Sequence, residues 1–172
     1  MRYDAIIAGG GPVGLACAIS LARDGRKVCV VERSSVDVLA NPPFDGREIA
    51  LTHHASNWLK GVGAWDQIPQ ASICPMHTAR IETGAAGGAP LLFDAPATGP
   101  DALRHLVANH LIRRTPFRLA LTDQGLDILA GSGVDTAPHY ARLAPAPLAD
   151  GSFLEAASLL VAVSCFSRLF AS

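Results

Sequence analysis

The apolar positions of the first third of the chain fall into short continuous runs separated by one stretch of helical spacing. Tyr3 to Ala8 is mostly apolar and ends in glycines, which predicts a strand buried on both faces. From Pro12 to Arg23 the apolar positions Val13, Leu15, Ala16, Ile19 and Leu21 recur as one broad helical face. Gly25 is placed to end that helix. Val28 to Val31 is a second apolar run, closed by Glu32 and Arg33. Strand, helix and strand within about thirty residues make one parallel βαβ unit, with a right-handed crossover expected.

The pattern beyond this unit is less regular. Ser34 to Gly46 carries Asn41-Pro42-Pro43 and Asp45-Gly46, which predicts a loop. Ile49 to Val62 has Leu51, Ala55, Trp58, Leu59 and Val62 at helical spacing, with Gly61 and Gly63 at its end. Met76 to Thr83 and Leu91 to Asp94 read as strands around the glycine- and alanine-rich Gly84 to Pro90, so a hairpin or meander is expected to leave the parallel sheet. Leu103 to Leu121 is helical in pattern, and Pro116 should kink or end that helix. Leu126 to Ala130 and Leu159 to Val163 are expected strands, with a loop over Thr136 to Pro147. No internal repeat is visible.

Composition narrows the class. The 172 residues are 49% hydrophobic and 17% charged, enough to bury a core and too apolar for a disordered chain. A net charge of −1 gives no basic excess for a nucleic-acid partner. Cys17, Cys29, Cys74 and Cys165 form no C-x-x-C pair, and Cys17 and Cys29 fall inside apolar patterns. Buried reduced thiols and a cytoplasmic location are expected from this. Asp4 and the glycines after Ala8 argue against a signal peptide, and Leu159 to Val163 is too short to cross a bilayer. A soluble protein without a transmembrane segment is expected.

The candidate chemistry lies at the first turn. Gly9-Gly10-Gly11-Pro12-Val13-Gly14 fits G-x-G-x-x-G between a predicted strand and a predicted helix, with an acid at the end of the next strand. In such a turn Gly9 permits the tight exit from the strand, Gly11 lets a pyrophosphate approach the backbone, and Gly14 lets the helix pack on the sheet. Free N–H groups and the positive end of the helix dipole would face the phosphates. Glu32, 18 residues past Gly14, is placed to accept hydrogen bonds from ribose hydroxyls. The fold class is therefore α/β: a Rossmann-like βαβ unit with a parallel sheet and an inserted β-hairpin or meander, read as one domain over residues 1–172 that holds the ADP half of a dinucleotide. The six histidines show no H-x-x-x-H or H-E-x-x-H spacing, so no metal site is expected. No G-x-S-x-G elbow supports hydrolase chemistry. Trp58 and Trp65 read as core residues, and Arg113-Arg114 as an exposed helix face.

These residues also carry a family resemblance. Asp4 to Leu15, with Val30-Val31-Glu32-Arg33, resembles the N-terminus of FAD-dependent aromatic-ring hydroxylases, the single-component flavoprotein monooxygenases related to p-hydroxybenzoate hydroxylase. Phe44 to Leu51, Trp58-Leu59, Gly63 to Asp66 and Leu106 to Arg114 resemble the branch that hydroxylates the ring in ubiquinone biosynthesis. The resemblance implies FAD as cofactor, NAD(P)H as reductant, and a small aromatic or prenylated quinone precursor as substrate. It leaves room for peripheral membrane association. It implies that Arg47 reaches the FAD, where a guanidinium can pair with the pyrophosphate or ribose region. The implied cofactor-binding set is Gly9, Gly11, Pro12, Val13, Gly14, Glu32, Arg33 and Arg47, with a lesser suggestion for Asn109. No catalytic acid or base can be named, because in the family the flavin supplies the oxygen chemistry and the protein positions rings and excludes water.

The family runs well beyond this length. A glycine-aspartate motif and C-terminal helices have no counterpart here, and Val163-Ser164-Cys165-Phe166-Ser167 stands where the family has an alanine-aspartate-glycine-like segment. The chain therefore reads as the first part of such a hydroxylase, cut short, and the expectation is that alone it does not hydroxylate a ring. Two other readings stay open: a non-catalytic remnant that binds nucleotide weakly or not at all, and a NAD(P)-dependent dehydrogenase, which the βαβ unit alone would permit.

Overall fold

The computed structural model describes residues 2–82, 84, 90–95, 102–135 and 144–163. The first elements are β1 (Arg2–Ala8), α1 (Pro12–Arg23), β2 (Val28–Glu32) and α2 (Val36–Ala40). Then come β3 (Glu48–Leu51), α3 (His53–Gly61), β4 (Ile73–Met76), β5 (Thr78–Ile81), β6 (Leu91–Asp94) and β7 (Arg104–Ala108). Helix α4 (Asn109–Ala120) leads to β8 (Leu126–Ala130), β9 (Ala144–Pro147) and β10 (Phe153–Val161). The chain forms two compact units, Met1–Pro43 with Ile112–Ser172, and Phe44–Leu111.

The first unit holds a five-stranded sheet in the order β8-β2-β1-β10-β9. Its strands are parallel except β9, which runs antiparallel to β10. Ile6 pairs with Cys29 on one side and Leu159 on the other, so β1 is a central strand. That position explains the continuous apolar run: Ile6, Ile7, Val28 and Val30 are wholly buried. Helix α1 buries Leu15, Ala16, Ala18, Ile19 and Ala22. Val13 departs from the expected face and is 65% exposed; it lies about 200° around the axis from Leu15. Gly25, at φ 78, ends the helix, its N–H donating to the Ala22 carbonyl.

The second unit carries a three-stranded antiparallel sheet, β3-β7-β4, and a two-stranded antiparallel one, β5-β6. Here the periodicity misleads in three places. Residues 49–62 are not one helix: β3 pairs with β7, and α3 starts only after Thr52, whose hydroxyl accepts from the Ala55 N–H at 3.1 Å. The strand expected over 76–83 is two strands parted at His77. The helix expected from Leu103 is β7 followed by α4, because Leu106 and Val107 pair with both β3 and β4.

Pro116 neither ends nor interrupts α4. It withholds one N–H from the Ile112 carbonyl, but Thr115, Pro116 and Phe117 are buried and hold the helix in place. A short helix, α2, stands inside the expected loop 34–46, and β9 occupies the end of the expected loop 136–147. The strand expected over 159–163 starts earlier, at Phe153. Trp65 is buried but Trp58 is 41% exposed, against expectation. Cys29 is buried, Cys17 partly so and Cys74 exposed. Burial first, then the Asp127 charge, push the Cys29 thiol up to about 11. Cys165, His139 and most of 84–90 lie outside the described residues.

Candidate functional site

The glycines of the first turn divide by what surrounds them. Gly9 has φ +112, and a Cβ there would run into the Ala162 carbonyl. A Cβ on Gly14 would collide with the Gly9 carbonyl oxygen and stand 3.3 Å from the Ala162 side chain. Both positions are forced by the close approach of α1 to the strand ends. At Gly10 a Cβ would lie 2.9 Å from Glu32. Gly11 is different, since a Cβ there meets nothing within 4 Å. The protein's own packing does not require a glycine at that position.

Gly11 is also the N-cap residue of α1, and its end receives no side-chain cap. Pro12 occupies the first turn, where its missing N–H costs nothing. The N–H groups of Val13 and Gly14 have no acceptor within the helix. They point out of its positive end, where an anion is favoured.

Glu32 stands across this turn. Its Oε2 accepts from the Gly10 N–H at 2.7 Å and its Oε1 from the Ser34 N–H at 2.8 Å. Burial opposes its charge, but the Ser34 and Gly10 N–H groups, the Ser34 hydroxyl and the Arg113 guanidinium outweigh it and hold the carboxyl below its ordinary range. With these three donors the carboxylate keeps a lone pair for a further one.

These groups open onto one cavity of about 380 Å³. Ala8 to Gly11 form one wall, and Val31, Glu32 and Arg33 another. Leu39 of α2, Arg113 of α4, Gly133, Val134, Ala162 and Val163 complete it. Arg33 lies across Gly133, where a Cβ would sit 2.7 Å from its Nε. Thus Gly9, Gly11, Glu32 and Arg33 of the expected set meet in one place, with Pro12, Val13 and Gly14 at the adjoining helix start. Sequence reasoning missed Leu39, Gly133, Val134 and Arg113. The glycines after β8 were a usable signal for Gly133, whereas nothing local distinguished Arg113 from Arg114.

Arg47 belongs to the other unit. Its Nε and Nη2 donate to Asp45 Oδ2 at 2.9 and 2.6 Å, and Asn109 Nδ2 donates to the same oxygen at 2.7 Å. The Arg47 side chain first, then Asn109, hold Asp45 far below the usual carboxylate range. The same unit contains His105, ringed edge-on by His53 and Trp65 at 5.6 and 5.4 Å. Burial, then the neighbouring His53 and Lys60, push its imidazole below the ordinary value. No metal-ligating cluster occurs among the described residues, and none of their helices is long and apolar enough to cross a membrane.

The geometry is that of a nucleotide-binding α/β protein, and comparison makes the class specific. Residues 2–115 match the model of the FAD binding domain, and the chain belongs to that family. Ubiquinone hydroxylase UbiM of Neisseria meningitidis is 37% identical over 98% of this chain and 37% of its own length. The 3-demethoxyubiquinol 3-hydroxylase of Escherichia coli is 34% identical over 63% of this chain and 27% of its own. The chain thus spans a little over a third of the length of the first of these relatives, and it resembles ubiquinone-biosynthesis hydroxylases. Among solved structures, the flavin-dependent monooxygenase PieE, in complex with FAD and substrate, superposes with a TM-score of 0.72 at 19% identity, over 99% of this chain and 32% of that one. The p-nitrophenol 4-monooxygenase PnpA of Pseudomonas putida gives 0.72 at 20% identity, over 96% and 42%. These two share the fold.

Proposed function

We propose that residues 1–172 are a single FAD-binding domain of a hydroxylase that acts on an aromatic or prenylated quinone precursor, with NAD(P)H as reductant. The observation that carries the reading is convergence: the uncapped start of α1, the open face of Gly11 and the Glu32 carboxylate share one cavity. Backbone N–H donors suit a diphosphate, and a carboxylate with a spare lone pair suits a ribose hydroxyl.

The pyrophosphate is assigned to the turn Gly9 to Gly14, with Pro12 and Val13 fixing the helix start. The adenosine ribose is assigned to Glu32, with Arg33 beside it. Arg47 is assigned to the cofactor on the family resemblance alone. When bound, the flavin supplies the redox and oxygen-transfer chemistry that side chains lack. The chain's own residues bind and orient its nucleotide half. A cytoplasmic protein that meets the membrane surface to reach a prenylated substrate is consistent with the relatives' substrates.

The test is the visible absorbance of the purified protein. Near-stoichiometric flavin supports the reading. A flavin-free protein that takes up no FAD in titration calorimetry overturns it. Bleaching by NADH tests the reductant, and one labelled oxygen atom in a prenylated phenol tests the full reaction.

A further inference from the structure

Arg113 has no part in the roles assigned above, yet it stands in the same cavity as Glu32 and the first turn. Three charged side chains line that cavity among the described residues: Glu32, Arg33 and Arg113. Arg33 is laid along Gly133. Glu32 has both oxygens tied to backbone N–H groups of the turn and of Ser34, so it cannot swing away when a ligand enters. A dinucleotide binding there would bring two negative phosphates into a partly desolvated space that already holds a fixed carboxylate. In so confined a space like charges repel by an amount that matters to binding. The partial positive charge of the α1 N-terminus offsets only part of this.

We infer that Arg113 is a further cofactor-binding residue, whose guanidinium balances the fixed Glu32 carboxylate and so admits a diphosphate beside it. The inference rests on the nucleotide reading of the cavity. It accounts for a cation that α4 brings, from far along the chain, to a site whose glycine turn and carboxylate come from the β1–α1–β2 unit. It also defines a selectivity: the benefit falls on ligands with a diphosphate and not on the nucleoside.

The experiment measures the affinity of the full chain for FAD, ADP and adenosine, in wild type, Arg113→Gln, Arg113→Lys and Arg118→Gln. Arg118 is an exposed residue of the same helix and serves as control. Arg113→Gln should weaken FAD and ADP alike by about tenfold and leave adenosine within about twofold, with the loss shrinking as salt rises. Lysine should restore most of the affinity, and circular dichroism melts should show all variants folded. Equal weakening of adenosine, or unchanged ADP affinity in Arg113→Gln, would overturn the inference while leaving the nucleotide reading intact. Wild-type protein that binds neither FAD nor ADP would sink the reading itself, and this inference with it.

Discussion

Two carboxylates, Glu32 and Asp45, each sit near an arginine, and they differ in how much of their hold comes from side chains. Glu32 is half-buried and fixed by two main-chain N–H groups, while its arginine is contributed by a distant helix. Asp45 takes one main-chain donor, the Arg47 N–H at 3.1 Å, and otherwise depends on side chains: that of Arg47, which is 67% exposed, and that of the buried Asn109. Main-chain donors are set by the fold and do not rearrange, so Glu32 is preorganised for a ligand. The exposed Arg47 guanidinium is mobile and exchanges with water, so its ion pair with Asp45 is worth little to stability. On the reading proposed above, Glu32 serves the nucleotide, and Asp45 is a tie that a ligand can compete for.

The sharpest way to break this contrast is at the turn beside Glu32. Gly11→Val should reduce FAD affinity by at least about a hundredfold, because the side chain would fill the approach to the backbone. The fold should survive, since a Cβ there touches nothing. Gly14→Val should instead lower the melting temperature, through collision with the Gly9 carbonyl. Calorimetry and thermal melts on the pair separate the two effects. Unchanged FAD affinity in Gly11→Val would remove the phosphate from this turn.

Next in size is Glu32 itself. Glu32→Ala should weaken FAD by roughly ten- to a hundredfold and cost on the order of 1 kcal/mol in stability, because two N–H groups lose their acceptor. Wild type should prefer FAD to NADP, since the carboxylate repels a 2′-phosphate. Tighter NADP binding in titration would count against the ribose assignment.

A smaller effect is expected from pH. The His105 imidazole is depressed, so the folded chain keeps it neutral while the unfolded chain takes up a proton as pH falls through about 6.5. Stability should therefore decline below that value, and His105→Phe should flatten the slope. Denaturant melts between neutral and mildly acidic pH read this directly. The smallest effect is Asp45→Asn, which should shift the melting temperature by less than about 2 °C. A larger shift would mean the surface cluster is more than a tie.

The parts legible in the sequence were those in which local pattern and tertiary role agree. Central strands β1 and β2 are apolar on both faces, and the glycine turn after β1 shows its spacing locally, although Ala162, far along the chain, also forces Gly9 and Gly14. The segment from Glu48 to Leu51 failed because four residues carry too little periodicity to distinguish a strand from the first turn of the next helix. Only Thr52 marked the break. Arg104 to Ala108 failed because its pairing partners, β3 and β4, lie well upstream. Arg113 was read as surface for the same reason: its neighbours, Glu32 and the glycine turn, are set by tertiary packing.

The strand order of the first sheet sets a schedule for the nascent chain. β1 is synthesised well before one of its two neighbours, β10, with Ile6 opposite Leu159. At ribosomal speeds the gap between them is on the order of ten seconds. Through that interval the apolar β1 has an unpaired edge, which is a template for association with other unfinished chains. Closing so long a loop also makes refolding slow in the test tube. The part of the molecule easiest to read from its sequence therefore stays insecure until β10 arrives, and a chaperone has much to protect before residue 153 leaves the exit tunnel.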